Sequence, residues 1–288
     1  MFTEQELKRW REKVRRQQTG AGDPRITKAV DRVLDALFPA ILEAKPTLEE
    51  WFGLLDFIGN AGAVQLKGIA WILGITQIVE ELNSPFGPDA TDQCVEGPFY
   101  RPDAKPVPSG AALFEVEDAG DYLFFEGRVL DTKGKPLSGV EIDVWGTNGT
   151  GTYSFFDPNQ PEFNCRGKLK SGADGKYAIF TKFPQPYTVE FEAMGTVVRA
   201  MGHQPWRPAH LHFKLNEPGY EPLTTQICFK GHPYIENDAA LAVKEHLVVD
   251  LIRHESDAEL RKRGVSRPFY SANFDFRLQP LPAAQKGV

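Results

Sequence analysis

Two spacings of apolar residues divide this chain. Up to about residue 95 they recur at intervals of three and four, and from about Tyr122 they alternate with polar residues at intervals of two. In "GDPRITKAVDRVLDALFPAIL" the residues Val30, Val33, Leu34, Leu37 and Phe38 share one helical face. Asp23 stands before them as a cap and Pro24 takes the first helical position. "TEQE" and "TLEE" pair Thr3 with Glu6 and Thr47 with Glu50 as capping boxes. The helix in "TLEEWFGLLDFIGNAG" is expected to stop near Gly59 and Gly62, and "AVQLKGIAWILGITQIVEELN" to form another. Trp51, Phe52, Phe57, Trp71 and Ile72 make a surplus of large apolar side chains for a small helical core. One helical face is therefore expected to pack on a second copy of the chain, giving a homodimer.

The later spacing predicts strands. "FFEGRVLDTKGKPLSGVEIDVW" reads as strand, Gly/Pro turn, strand, with Val140, Ile142 and Val144 alternating with Glu141, Asp143 and Trp145. "SGADGKYAIF" sets an Asp-Gly turn ahead of a strand, and "PAHLHFKL", "LTTQICF", "HLVVDLI" and "NFDFRL" follow. The fold class expected is α+β: a helical linker and dimerisation domain over 1–105, then an antiparallel β-sandwich over 106–288. The proline-rich "GPFYRPDAKPVPSG" joins the two.

Composition narrows the function. The 288 residues carry a net charge of −6 with no long run of like charge, which argues against a nucleic-acid partner. The basic "LKRWREKVRR" is interrupted by acid and reads as a solvated helix face. "MFTEQELKRW" lacks the apolar stretch of a signal peptide, and the longest apolar run, "IAWILGI", is too short to span a bilayer. Cys94, Cys165 and Cys228 form neither a disulfide framework nor a zinc pattern. A cytoplasmic location is expected.

Candidate chemistry begins at "PAHLHFKL". Alternation puts Ala209, Leu211, Phe213 and Leu215 on one face and His210, His212 and Lys214 on the other. Two residues along a strand span roughly 6.6 Å, close enough for both imidazoles to reach one ion. Two histidines do not fill a coordination sphere, and the nearest carboxylates, Glu217 and Glu221, lie in a loop beyond the strand. Phenolate is the remaining hard anionic donor. Tyr153 in "TNGTGTYSFFDPNQPEFNCRG" and Tyr187 in "FPQPYTVEF" sit in loop-like surroundings and are the candidates. Read singly, both tyrosines also suit packing, Arg207 suits a surface ion pair, and Gln226 suits a buried backbone partner.

Five ordered segments resemble the intradiol ring-cleaving dioxygenases, the catechol and hydroxyquinol 1,2-dioxygenase group. They are "EGPFYRP", "VWGTNGTGTYSFFDPNQPEFNCRG", "PQPYTV", "GHQPWRPAHLHF" and "LTTQICFKG", within a match over roughly 45–278. The resemblance implies non-haem Fe(III) held by Tyr153, Tyr187, His210 and His212. Tyr153 and His210 would lie in one plane with a solvent ligand, and Tyr187 and His212 would be axial. It implies catalytic roles for Arg207, Gln226 and Tyr187, with Tyr187 leaving the metal as a phenol when substrate binds. The implied reaction inserts O2 into a small aromatic diol between its two hydroxylated carbons, giving a cis,cis-muconate-type diacid. The implied pocket wall comprises Gly68, Trp71, Ile72, Gly97, Pro98, Phe99, Tyr100, Trp206, Ala239 and Ala240. Trp71 is bulkier, and Ala239 smaller, than the family pattern at those places. That leaves catechol, hydroxyquinol, chlorocatechol, alkylcatechol and pyrogallol open as substrates, while no extra basic residue favours protocatechuate. The family also implies a lipid at the dimer interface. A metal-binding sandwich module without oxygen chemistry is the alternative class.

Overall fold

Capping chemistry starts the early helices where the side chains call for it. The computed structural model describes residues 3–16, 23–154 and 156–282. Thr3 N–H donates to Glu6 Oε2 at 2.7 Å ahead of α1 (Glu4–Arg16), and Asp23 accepts from the amides of Arg25 and Ile26 ahead of α2 (Pro24–Ala44). Thr47 and Glu50 repeat the reciprocal box ahead of α3 (Leu48–Ile72). That helix does not stop at Gly59. It breaks at Gly62, where φ is 70°, and resumes to Ile72. Gly74, also left-handed, separates it from α4 (Ile75–Leu82), so the last expected helix is two.

By compactness the chain divides between Gly62 and Ala63. In the first unit α1 and α2 pack together, and the buried Arg11 donates to Asp35 at 2.7 Å. Val30, Val33, Phe52, Leu55 and Ile58 are exposed there. The division lies well before residue 105, because compactness follows packing whereas the expected boundary followed the change of period.

The second unit holds the strands. These are β1 (Tyr122–Asp131), β2 (Glu141–Gly146), β3 (Arg166–Lys170), β4 (Lys176–Lys182), β5 (Tyr187–Thr188), β6 (Trp206–Arg207), β7 (His210–Asn216) and β8 (Leu223–Phe229). β9 (Val248–Val249), β10 (Ile252–His254), β11 (Phe269–Asn273) and β12 (Phe276–Leu278) complete the set. One sheet centres on β1, flanked by β4, β11, β12 and, beyond β11, β10. The other runs β3-β2-β7-β8-β9, and β5 pairs β6 apart from both.

The sheets are mixed, which corrects the antiparallel expectation: β1 pairs β11 and β12 in parallel, and β8 pairs β9 in parallel. Alternation of apolar and polar residues looks the same for either direction, so periodicity carries no information on it. Two helices also interrupt the strands, α5 (Glu192–Ala200) and α6 (Asp257–Arg263).

Leu123, Phe125, Ile142, Val144, Leu211, Phe213, Ile227 and Phe276 form one core shared by the two large sheets. Phe125 of β1 meets Phe213 of β7 with ring centroids 5.4 Å apart. Replacing Phe213, which has no exposed surface, by Ala is expected to lower unfolding stability by about 3–5 kcal/mol. Urea-unfolding curves check this.

Candidate active site

Strand β7 is buried on both faces. Leu211, Phe213 and Leu215 enter the core, and His210 and His212, expected on a polar face, are 2% and 1% exposed. Their face is covered by a second apolar cluster that includes Phe99, Trp145, Tyr153 and Tyr187. Cross-strand register sets what flanks the imidazoles. Trp145 of β2 and Gln226 of β8 both lie opposite His212. The Trp145 indole stacks on the His212 ring, centroids 4.7 Å apart and 6° from parallel.

The tyrosines arrive from two turns held against each other. Tyr187 lies on β5 opposite Arg207 on β6. Tyr153 follows a tight turn at Gly151, whose φ is 84° and where a Cβ would stand 2.6 Å from Pro186 O. Only glycine lets that turn approach the segment carrying Tyr187 so closely. The two phenol rings meet edge-to-face at 5.3 Å, and Tyr187 lies 5.8 Å from the His210 ring.

Protonation states follow from the hydrogen bonds. His210 Nδ1 faces Pro208 O at 2.8 Å, which assigns its proton to Nδ1 and leaves Nε2 a lone pair. That Nε2 faces His212 Nε2 at 3.1 Å. Burial, then the nearby Arg207, lowers the His210 pKa to about 3; burial, then its neighbour His210, pushes His212 well below its ordinary value. Both imidazoles are thus neutral donors. Burial, then Tyr187, pushes Tyr153 well above the ordinary phenol value, and its hydroxyl interacts with Tyr187 without forming a well-aligned hydrogen bond.

Arg207 joins the site through one edge of its guanidinium. Nη1 lies 3.3 Å from both Tyr187 Oη and His210 Nε2, and Nη2 donates to Gln226 Oε1 at 2.8 Å. Gln226 in turn donates through Nε2 to Val95 O at 2.7 Å, so it serves the backbone and the arginine together. Asp238 takes the other edge, with Oδ1 2.9 Å from Nε and Oδ2 3.1 Å from Nη2. No sequence motif pointed to Asp238. It lies after a 3-10 turn at Ile235–Asn237, 31 residues from its partner, with no periodicity around it.

The structure places the wall candidates unevenly. Ile72, Phe99, Tyr100 and Ala239 belong to the cluster around Tyr153 and Tyr187. Trp71 and Ala240 pack on the main core instead. Gly97 approaches the ligand strand, since a Cβ there would stand 3.5 Å from His212 Cε1. Gly68 abuts Met194, whose Sδ would lie 2.0 Å from an added Cβ. Pro98 is exposed, and Trp206 is 39% exposed and stacks on Tyr234.

This donor set suits a small, highly charged cation. Two neutral imidazoles converge within hydrogen-bond distance, beside a buried phenol that lacks a well-aligned hydrogen bond and a second phenol. Among the described residues no group of three or more His, Cys, Asp or Glu could hold a metal, so any metal here depends on the tyrosines.

A buried oxygen-ligand site on paired sheets defines a class that the comparisons specify. Residues 95–280 match the family model described as Dioxygenase. Hydroxyquinol 1,2-dioxygenase of Rhizobium sp. (strain MTP-10005) is 35% identical, covering 89% of this chain and 90% of that one. Catechol 1,2-dioxygenase 2 of Acinetobacter lwoffii is 34% identical over 84% and 89%. The crystal structure of wild-type Acinetobacter radioresistens catechol 1,2-dioxygenase superposes with a TM-score of 0.82 at 29% identity, covering 98% of this chain and 94% of that one. The chain belongs to the intradiol ring-cleaving dioxygenases, iron-dependent oxidoreductases that open an aromatic diol between its two hydroxylated carbons.

Gly151→Ala is expected to lower the melting temperature, because it forces the Tyr153 turn off the Tyr187 segment. A thermal melt followed by circular dichroism checks it. A pH effect follows from Asp238. Burial raises its carboxyl, but Arg207 and the amides of Ala240 and Ala242 together outweigh that, and the net pKa is below the ordinary value. A depressed folded pKa contributes stability above the unfolded value of about 3.9 and loses it as pH falls through the folded one. Stability is expected to drop on acidification below about pH 5, less steeply in Arg207→Met/Asp238→Leu. Urea midpoints across that range check the slope.

Proposed function

We propose that this enzyme opens a catechol-type ring with O2 at a ferric ion held by Tyr153, Tyr187, His210 and His212. The observation that carries the reading is the convergence of two neutral imidazoles and two phenols in a buried cluster beside Arg207. A ferric ion held there would supply Lewis acidity toward the diol. Two phenolates offset most of its charge, so the site can stay in a low-dielectric interior.

The chain's own groups then divide the work. Tyr187 Oη accepts a proton from the incoming diol, and Arg207 Nη1, 3.3 Å away, holds the resulting phenol in place. Arg207 stabilises negative charge that develops on the ring, and Gln226 keeps its Nη2 from turning away. Phe99 and Trp145 exclude water from the reacting centre. Ile72, Phe99, Tyr100 and Ala239 form the inner wall, and Gly68, Trp71, Gly97, Pro98, Trp206 and Ala240 its supports and rim.

Hydroxyquinol is the second substrate reading. It is favoured by the 35% identical hydroxyquinol 1,2-dioxygenase and by the small Ala239, which leaves room for a ring substituent. The exposed apolar residues of α2 and α3 support a homodimer through the N-terminal helices, consistent with a linker and dimerisation role for the region up to 105. A groove of about 910 Å³ between α1 and α2, lined by Leu7, Leu34, Phe38 and Leu42 among others, supports a lipid bound in that unit. Among the described residues no single helix is long and apolar enough to cross a membrane.

The iron-loaded protein is expected to be coloured by tyrosinate-to-iron absorption and to yield a muconate-type diacid from catechol or its hydroxylated analogue. Tyr187→Phe is expected to shift the visible band and lower kcat about 10²- to 10⁴-fold. A colourless iron-loaded protein, or a yellow semialdehyde product, would overturn the reading; absorbance and product mass decide.

A further inference from the structure

Asp238 is 4% exposed, and its carboxylate gathers four donors. Arg207 Nε and Nη2 approach from one side at 2.9 and 3.1 Å, and the amides of Ala240 and Ala242 donate at 3.1 and 3.0 Å. Among the described residues it is the acidic side chain that pairs with Arg207.

A guanidinium has five N–H groups in a rigid fork. Nε faces Asp238, and Nη2 is shared between Asp238 and Gln226, which leaves Nη1 for Tyr187 Oη and His210 Nε2. The bidentate contact fixes the rotation of the fork as well as its place. Asp238 also organises the wall turn, its carboxylate through the amides of Ala240 and Ala242 and its backbone carbonyl through Leu241 N–H at 2.9 Å. Leu241 adopts a left-handed φ of 50°, and Ala239 N–H donates to Trp206 O at 3.0 Å. One side chain thus ties Arg207 to the Ala239–Ala242 turn.

We propose that Asp238 is a positioning residue for ring opening. It holds Arg207 so that Nη1, and no other nitrogen, faces the reacting centre, and it cancels most of the arginine's charge when the site is at rest. An unpaired cation would bind the ground-state diolate and the transition state alike. A paired one, aimed by a single nitrogen, responds mainly to charge that appears during the reaction. Asp238 thereby acts on turnover more than on substrate binding.

This inference rests on the role proposed for Arg207, and the test separates the two. The iron-loaded enzyme is assayed with catechol or hydroxyquinol, whichever turns over faster, and binding of the same diol is measured without oxygen. Asp238→Asn is expected to lower kcat about 10- to 100-fold while the anaerobic dissociation constant moves less than about threefold. In an Arg207→Met background, Asp238→Leu is expected to cause no further loss of kcat. A kcat for Asp238→Asn within about threefold of the unsubstituted enzyme overturns the inference, as does an equal weakening of anaerobic binding. So does a further loss of about tenfold or more in the Arg207→Met background. That comparison also decides the matter if Asp238→Asn does not fold: in Arg207→Met the Asp238 carboxyl keeps the amides of Ala240 and Ala242 and can take up a proton, and Arg207→Met/Asp238→Leu leaves no buried charge unpaired. Turnover by Arg207→Met equal to that of the unsubstituted enzyme would end the role of Arg207 itself. A slow Arg207→Met beside a fast Asp238→Asn would end only the inference.

Discussion

A full positive charge at Arg207, 3% exposed, is the constraint around which this site is assembled. Taking a cation out of water costs several kcal/mol, and the interior must return that through a counter-charge and well-aimed hydrogen bonds. Asp238, Gln226 and Tyr187 return it, and they come from the turn after Ile235–Asn237, from β8 and from β5. Each of those elements has to be in register for the guanidinium to be satisfied. The chemistry is thus a condition of the local fold rather than an addition to it. A misplaced strand would leave a buried charge without partners, among the more expensive errors a protein can make.

What could be read from the chain depended on whether a feature is local. The Thr3/Glu6 and Thr47/Glu50 boxes, the Asp23 cap and the alternation in "PAHLHFKL" are written within a few residues, and the structure contains them. Ser256 and Glu259 carry the same capping signature before α6, legible but overshadowed by the strands around it. Helix α5 was not legible: Phe191 offers no side-chain cap, and Gly195, Thr196, Val197 and Val198 are poor helix formers. Strand direction was not legible either, because parallel pairing of β1 with β11 joins residues nearly 150 positions apart. Asp238 belongs with this last group. Its partner is chosen by three-dimensional approach, and nothing within "IENDAALA" singles it out.

The buried polar cluster and its apolar surround occupy different kinds of structure. His210, His212 and Gln226 stand on adjacent long strands, where hydrogen-bond register fixes their spacing. Phe99 and Ala239 come from loops, and Met194, which fills the dent at Gly68, comes from a short helix. Loops can change without disturbing a ladder. That separation gives a physical reason why relatives named as hydroxyquinol, catechol and chlorocatechol dioxygenases share one architecture.

The double burial of β7 has a consequence of another kind. Leu211 and Phe213 wedge between the sheets, while their chain neighbours His210 and His212 face the opposite side, toward Trp145 and Arg207. A close-packed interior transmits sub-ångström shifts rather than absorbing them. Robustness and turnover are therefore encoded in the same few residues and cannot drift independently there. A programme to harden this enzyme has its freedom elsewhere, in β1, β4 and the sheet far from the imidazoles. Along β7 every gain in rigidity is also a trial of the catalyst.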